Sequence, residues 1–292
     1  MNKFMFGEFI NSNNESRKEN LKFAVIGHTE WITFLEVEKM PSPGLITHAK
    51  QNLELPAGGG TIIARTLAEL NNEVHFFTSL GRDFYGNKSL ELLEEIGLKL
   101  HIQWSEKPTR KGFSLVDQDG DRSITIFGDR LNPQSSDKLE WDLLDDMDGI
   151  FITAADDILI RRARVAKILC ATPRVGLDVI NNSKIKLDAL IGSNLDPAEA
   201  FTCNDLKTNP KFIIKTEGLK GGSVLPGGRY EASLTSKKPK DSYGCGDSFA
   251  AGILYGLTAN LGIEKAIEIG KILGRNCVEY FGPYPKIKNI AF

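Results

Sequence analysis

Along the chain, short apolar runs alternate with apolar positions at helical spacing. Residues 21–26 form a short apolar run closed by Gly27, as expected of a first strand buried in a sheet. Ile62, Ile63, Leu67 and Leu70 share one helix face just after Ala57-Gly58-Gly59-Gly60. Residues 74–79 predict a strand, and Leu90, Leu93 and Ile96 mark the amphipathic helix behind it. The pattern resumes with a strand over 148–153 and a helix opened by Asp156 and Asp157, carrying Ile158, Leu159, Ala163 and Ala166. Further strands are expected over 174–177, 187–191 and 212–215, and a long amphipathic helix over 263–279. Strand–helix alternation of this kind predicts an α/β fold, a mostly parallel central sheet with helices on both faces.

Two regions depart from the alternation. Residues 31–55 alternate loosely around Pro41-Ser42-Pro43-Gly44, which suits short strands and turns. Residues 100–104, 112–116 and 122–127 also read as strands, the last two as a hairpin across 117–121. About 30–55 and 100–127 are therefore expected to form a small β-sheet apart from the large one. The first twenty residues turn polar after a short apolar start that lacks the length of a secretory h-region. They read as a flexible tail (1–20) ahead of one domain (21–292).

Composition narrows the partners. With 41% hydrophobic residues, 25% charged residues and a net charge of -2, the 292-residue chain offers no basic field for nucleic acid or a membrane surface. No apolar run approaches the roughly 18 residues of a membrane span. Cys170, Cys203, Cys245 and Cys277 are widely spaced, which points to neither a zinc site nor a disulfide framework. A reducing cytoplasm and a small-molecule ligand fit best.

The densest chemistry lies in Asp241-Ser242-Tyr243-Gly244-Cys245-Gly246-Asp247, which runs into an apolar helix. Two glycines around one small residue allow positive φ and let N–H groups face an anion, with the helix dipole behind them. Asp247 is then placed to take a proton or orient a nucleophile, although an Asp there also suits plain helix capping. The segment resembles the C-terminal signature of the PfkB, or ribokinase-like, carbohydrate kinase family, Asp-Thr-x-Gly-Ala-Gly-Asp-x-Phe. Ser242 replaces the commoner Thr, and Cys245 the commoner Ala. The resemblance implies a ribokinase-like fold whose small sheet is a lid over the acceptor. It also implies transfer of the ATP γ-phosphoryl group to an alcohol of a sugar or related small molecule, with magnesium. Gly244, Cys245 and Gly246 would form the anion hole and Asp247 would be the general base, while Asp241 would help build a monovalent-cation (potassium) site.

Three more glycine elements follow in family order, so the resemblance spans roughly residues 23–282. Gly58, Gly59 and Gly60 match the acceptor-lining loop, and Gly81-Arg82-Asp83-Phe84-Tyr85-Gly86 matches a Gly-x-Asp-x-x-Gly turn. Thr216, Gly218 and Gly221 match a loop around nucleotide phosphates. Asp196 and Glu199 resemble the Asn-x-x-Glu element that helps place hydrated magnesium, with Asn194 as an alternative register and plain capping by Asp196 as a second reading. Asn276 is expected to border the adenine. The acceptor side departs from the family: Ile32 stands where an Asp holds acceptor hydroxyls, and Ile62 where an Asn does. Glu30 or Glu36 could substitute. That departure leaves open a noncatalytic ligand sensor or a kinase for a nucleoside-like acceptor. A homodimer through the lid edge is also expected, because exposed strand edges seek partners.

Overall fold

The computed structural model describes residues 21–70, 72–233 and 237–286; the expected tail over 1–20 lies outside them. In chain order come β1 (Lys22–Ile26), β2 (Glu30–Glu36), β3 (Gln51–Ala57), α1 (Gly59–Glu69), β4 (Glu73–Gly81) and α2 (Phe84–Glu95). Next are β5 (Lys99–Ser105), β6 (Lys111–Val116), β7 (Arg122–Phe127), β8 (Gly149–Ile152), α3 (Asp157–Ala163) and β9 (Ile168–Ala171). The chain ends with α4 (Leu177–Ser183), β10 (Ala189–Ser193), β11 (Phe212–Thr216), β12 (Gly222–Leu225), β13 (Gly228–Tyr230), α5 (Cys245–Thr258) and α6 (Ile263–Val278).

Nine strands form one sheet in the order β13-β12-β11-β10-β9-β8-β1-β4-β5, parallel except for β12 and β13 at one edge. Because side chains alternate across a strand, β1 feeds both layers. Phe23 and Val25 join a core with Ile63 and Leu67 of α1 and Phe249 and Ile253 of α5. Ala24 and Ile26 meet Leu159 and Ile160 of α3 and Ile180 of α4 on the opposite face. The continuous apolar run of the sequence is thus a strand covered by helices on both sides. Among the described residues no helix is long and apolar enough to cross a membrane, and all four cysteines are free.

The second sheet has the order β3-β2-β6-β7. It closes on the large domain through one apolar cluster of Ile32, Phe34, Ala57, Ile62 and Tyr243, with Phe34 edge-on to Tyr243 at 5.0 Å between ring centroids.

Three expectations need correction. Residues 100–104 belong to β5 of the large sheet, pairing parallel with β4 from His75↔Lys99 to Gly81↔Ser105, rather than to the small sheet. The crossover through α2 returns the chain beside β4 in the same direction, which local alternation does not reveal. Residues 174–177 are not a strand: a tight turn at Pro173–Val175 leads into α4, and the strand is β9. The helix over 157–166 was drawn too long, since α3 ends at Ala163 and so frees Ile168–Ala171 to enter the sheet.

Candidate active site

The site lies outside the carboxyl ends of the parallel strands, where open α/β sheets bind ligands. After β1 come Gly27, His28 and Glu30; after β8, Thr153; after β9, Arg174. The loops Ser193–Glu199 and Thr216–Gly221 follow β10 and β11.

At its centre Gly244, with φ 77° and ψ 0°, caps α5 in a left-handed conformation that favours glycine. Asp247 follows in the first turn of α5, and open space surrounds the Gly246 α-carbon. The Asp247 carboxylate faces the other glycine loop: a Cβ built on Gly59 would lie 2.8 Å from Oδ1. Burial, then the Glu199 charge, push Asp247 up to about 6, against the opposing pull of Arg174 and Arg122.

Asp241 is fully buried, and its carboxyl oxygens accept N–H groups from Tyr243 at 2.8 Å and Gly282 at 3.0 Å. Burial raises its pKa. These bonds tie the Gly244 turn to the chain beyond α6. Cys245 is partly exposed, its thiol donates to Asp241 O at 3.9 Å while Cys277 donates to Tyr243 O at 3.3 Å, and the neighbouring Cys277 thiol and burial push Cys245 up.

On the donor side, Asp196 caps the turn Pro197–Glu199 by accepting from Ala198 N at 2.9 Å. Arg174 spans both expected magnesium residues, reaching Glu199 Oε1 with Nε at 2.6 Å and Asp196 with Nη2. Glu199 Oε2 accepts from Ser193 N at 2.7 Å. Asn194 instead binds Glu217 Oε1 at 2.8 Å, joining this loop to the next. Glu217 is held at about 2 by its bonds to Arg229 and Asn194. Gly218 and Gly221 both have positive φ, and Asn276 lies on α6 with a buried Nδ2 that has no partner.

On the acceptor side, Gly58, Gly59 and Gly60 open α1 against β1: Cβ atoms at Gly58 and Gly60 would meet His28 at 3.0 and 2.9 Å. Glu30 is 6% exposed and pairs with Arg110 at 3.0 Å, and burial raises its pKa. Glu36, at the far end of β2, binds the Gln51 side chain at the surface and stands apart from this group. Ile32 and Ile62 are fully buried in the cluster beneath the small sheet. They are packing residues here, which accounts for the absent polar groups.

Four arginines went unnoticed as sequence signals. Arg110, Arg122, Arg130 and Arg174 come from separate loops and strands that carry no glycine motif. Arg122 reaches from β7 to Ser242 Oγ beside the Gly244 turn, and Arg130 joins His28, Thr153 and Arg174. Asp83 of the Gly-x-Asp-x-x-Gly turn caps α2 and binds Thr109, while Arg82 pairs with Glu106.

Comparison with known proteins agrees with this architecture. A ribokinase of Arabidopsis thaliana is 21% identical over 301 residues, covering 90% of this chain and 77% of that protein. An adenosine kinase of Saccharomyces cerevisiae is 26% identical over 322 residues, covering 94% and 91%. The structure of Arabidopsis thaliana ribokinase complexed with ribose and ATP superposes with a TM-score of 0.69 at 18% identity, covering 90% and 94%. The family model for pfkB family carbohydrate kinase matches residues 20–170 and 177–289, nearly the whole chain. With a family model matched along its length and glycine turns gathered at one end of its sheet, the chain belongs to the pfkB carbohydrate kinase family.

Proposed function

We propose that the protein transfers the γ-phosphoryl group of ATP to a hydroxyl of a sugar or related small alcohol, with Asp247 as general base. The observation that carries the reading is the contact between Asp247 Oδ1 and Gly59. It supports a base set against the acceptor loop, with Gly244, Cys245 and Gly246 of the same helix turn available to the phosphoryl group. A carboxylate titrating near 6 is ionised at neutral pH yet basic enough to share a proton in the transition state. Backbone N–H groups of the turn and the α5 dipole would oppose the charge developing on the transferred group. Arg122, held at Ser242, adds a cation from the small sheet, and that sheet acts as a lid excluding competing water.

ATP would lie along the Thr216, Gly218 and Gly221 loop, with Asn276 offering its unpaired Nδ2 to the base. No group of three metal-binding side chains occurs among the described residues. Asp196 and Glu199, already paired with Arg174, therefore suit a magnesium ion reached through water. When bound, magnesium neutralises phosphate charge. Asp241 has lone pairs left for a monovalent cation beside its two N–H bonds.

A nucleoside acceptor is the second reading. Trp31, buried against Tyr85 at 5.6 Å between centroids, gives the acceptor side an aromatic wall with an unpaired Nε1. The intact turn and base argue against a noncatalytic sensor. Dimerisation through the small sheet is also part of the proposal, since Phe113 and Phe127 are exposed there; sedimentation would test it.

The test is ATP-dependent phosphorylation across sugars, sugar acids, sugar phosphates, nucleosides and vitamin alcohols. With the acceptor found, Asp247→Asn should lower kcat by about two to four decades. Near-full activity in that variant would overturn the assignment of the base.

A further inference from the structure

Near Asp247 lies a half-buried guanidinium that the transfer chemistry leaves unused. Arg130 Nη2 donates to His28 Nδ1 at 2.7 Å and to Thr153 O at 2.8 Å, and Nη1 donates to Arg174 O at 2.9 Å. Its Nε is buried and has no partner. All three acceptors are neutral. His28 Nδ1 accepts a hydrogen bond from Arg130, so the ring's own proton is on Nε2, which faces Glu30 Oε1 at 3.6 Å; burial, then the charge of Arg130, disfavours a charged ring.

Asp247 acts on Arg130 by its charge from beyond ion-pair distance, and the other carboxylates nearby are otherwise engaged. Glu30 is paired with Arg110, and Glu199 and Asp196 with Arg174. Among the described residues none lies within ion-pair distance of Arg130. A half-buried cation satisfied only by neutral oxygens and an imidazole is costly unless an anion completes it. Two more donor-capable groups stand unpaired on this wall, Arg110 Nε and Thr153 Oγ1.

The position of this wall connects it to the acceptor. Thr153, whose carbonyl Arg130 holds, also lies under Gly59: a Cβ there would meet Thr153 Cγ2 at 3.6 Å and Asp247 Oδ1 at 2.8 Å. His28 lies under Gly58. One side of the acceptor loop thus faces the base and the other faces His28, which Arg130 holds through Nδ1.

We propose that Arg130, with Arg110 and Thr153 beside it, forms an anion subsite, so that the acceptor alcohol carries a carboxylate or a phosphate monoester. Planar guanidinium groups suit either anion. The inference rests on the proposed phosphoryl transfer for its meaning, but binding tests it separately. Calorimetry on Asp247→Asn protein would compare neutral and anionic partners: D-ribose with D-ribonate and D-ribose 1-phosphate, and D-glucose with D-gluconate and D-glucose 6-phosphate. At least one anionic member should bind about 10- to 100-fold more tightly than its neutral partner, the span of one charge-assisted hydrogen bond. The carboxylate and phosphate arms tell the two anions apart.

Adding Arg130→Gln should erase that advantage, and Arg130→Lys should restore part of it. In protein with Asp247 intact, Arg130→Gln should act on KM for the anionic acceptor more than on kcat. Anionic binding that depends on Arg130 supports the subsite even if no acceptor is phosphorylated. Phosphorylation of neutral acceptors with no anionic preference would leave the kinase reading standing and overturn the subsite. So would a panel in which no anionic member binds, or an anionic preference that Arg130→Gln leaves unchanged.

Discussion

Replacing Asp247 by Asn should stabilise the folded protein at pH 7 while it removes the proposed base. The carboxyl group titrates at about 6 in the fold, against an ordinary value of 3.8, chiefly because it is buried and then because Glu199 faces it. Below pH 4 the group is protonated in both folded and unfolded chains and costs nothing. As the pH rises through 4 to 6 the unfolded chain releases its proton first, so the folded state loses stability. Above 6 the deficit is constant. Two pKa units correspond to about 3 kcal/mol, an upper bound because the amide of Asn must also give up water. At about 2–4 °C per kcal/mol, that bound corresponds to a gain in Tm of at most roughly 6–12 °C. Urea unfolding of both proteins between pH 4 and pH 7.5 is the assay. The two stabilities should converge at the acid end and separate through pH 4–6. An offset that ignores pH, or a variant less stable at pH 7, would refute the reasoning about burial.

Three further outcomes follow from the same geometry. Gly59→Ala places a methyl group 2.8 Å from Asp247 Oδ1, so kcat should fall about 10- to 100-fold by misplacement of the base; unchanged turnover would detach Asp247 from that loop. Glu199→Gln removes a negative neighbour and frees Arg174, both of which ease ionisation of Asp247. The acid limb of kcat/KM should move below about 6, and a limb that stays or rises would contradict the coupling. Ile32→Asp supplies the carboxylate that the family carries, but inside an apolar cluster; unfolding should show a loss of about 3 kcal/mol or more. A stable variant with a lower acceptor KM would show that Ile32 faces the pocket after all.

The parts of the site legible in the sequence are those made of backbone. Gly58–Gly60, Gly218 and Gly244–Gly246 are recognisable because glycine is needed wherever the chain turns with positive φ or approaches another group closely. Those constraints are local. The β1 run was legible for a similar reason, since burial on both faces leaves an unbroken apolar stretch. What escaped depends on distant partners. Arg110, Arg122, Arg130 and Arg174 are separated by up to 64 residues in the chain, and only the sheet order brings them to one end. β5 was misplaced because its half-buried residues suit either sheet, and the choice was made by the crossover through α2. The shift at 174–177 has a simpler origin: the apolar spacing of 158–166 continues past the point where α3 stops. Ile32 and Ile62 stand out in the sequence as apolar residues, but their role in holding the small sheet is not legible without β2 lying over Tyr243.

That apolar cluster has a calorimetric consequence. If the small sheet opens to admit substrates, Ile32, Phe34, Ile62 and Tyr243 pass into water, and apolar exposure raises heat capacity by roughly 45 cal/mol/K per 100 Å². The open form therefore has the higher heat capacity, and any ligand that holds the sheet shut must bind with a negative heat-capacity change larger than its own buried surface explains. Measured over a range of temperatures, that excess would count how much of the cluster comes apart at each turnover.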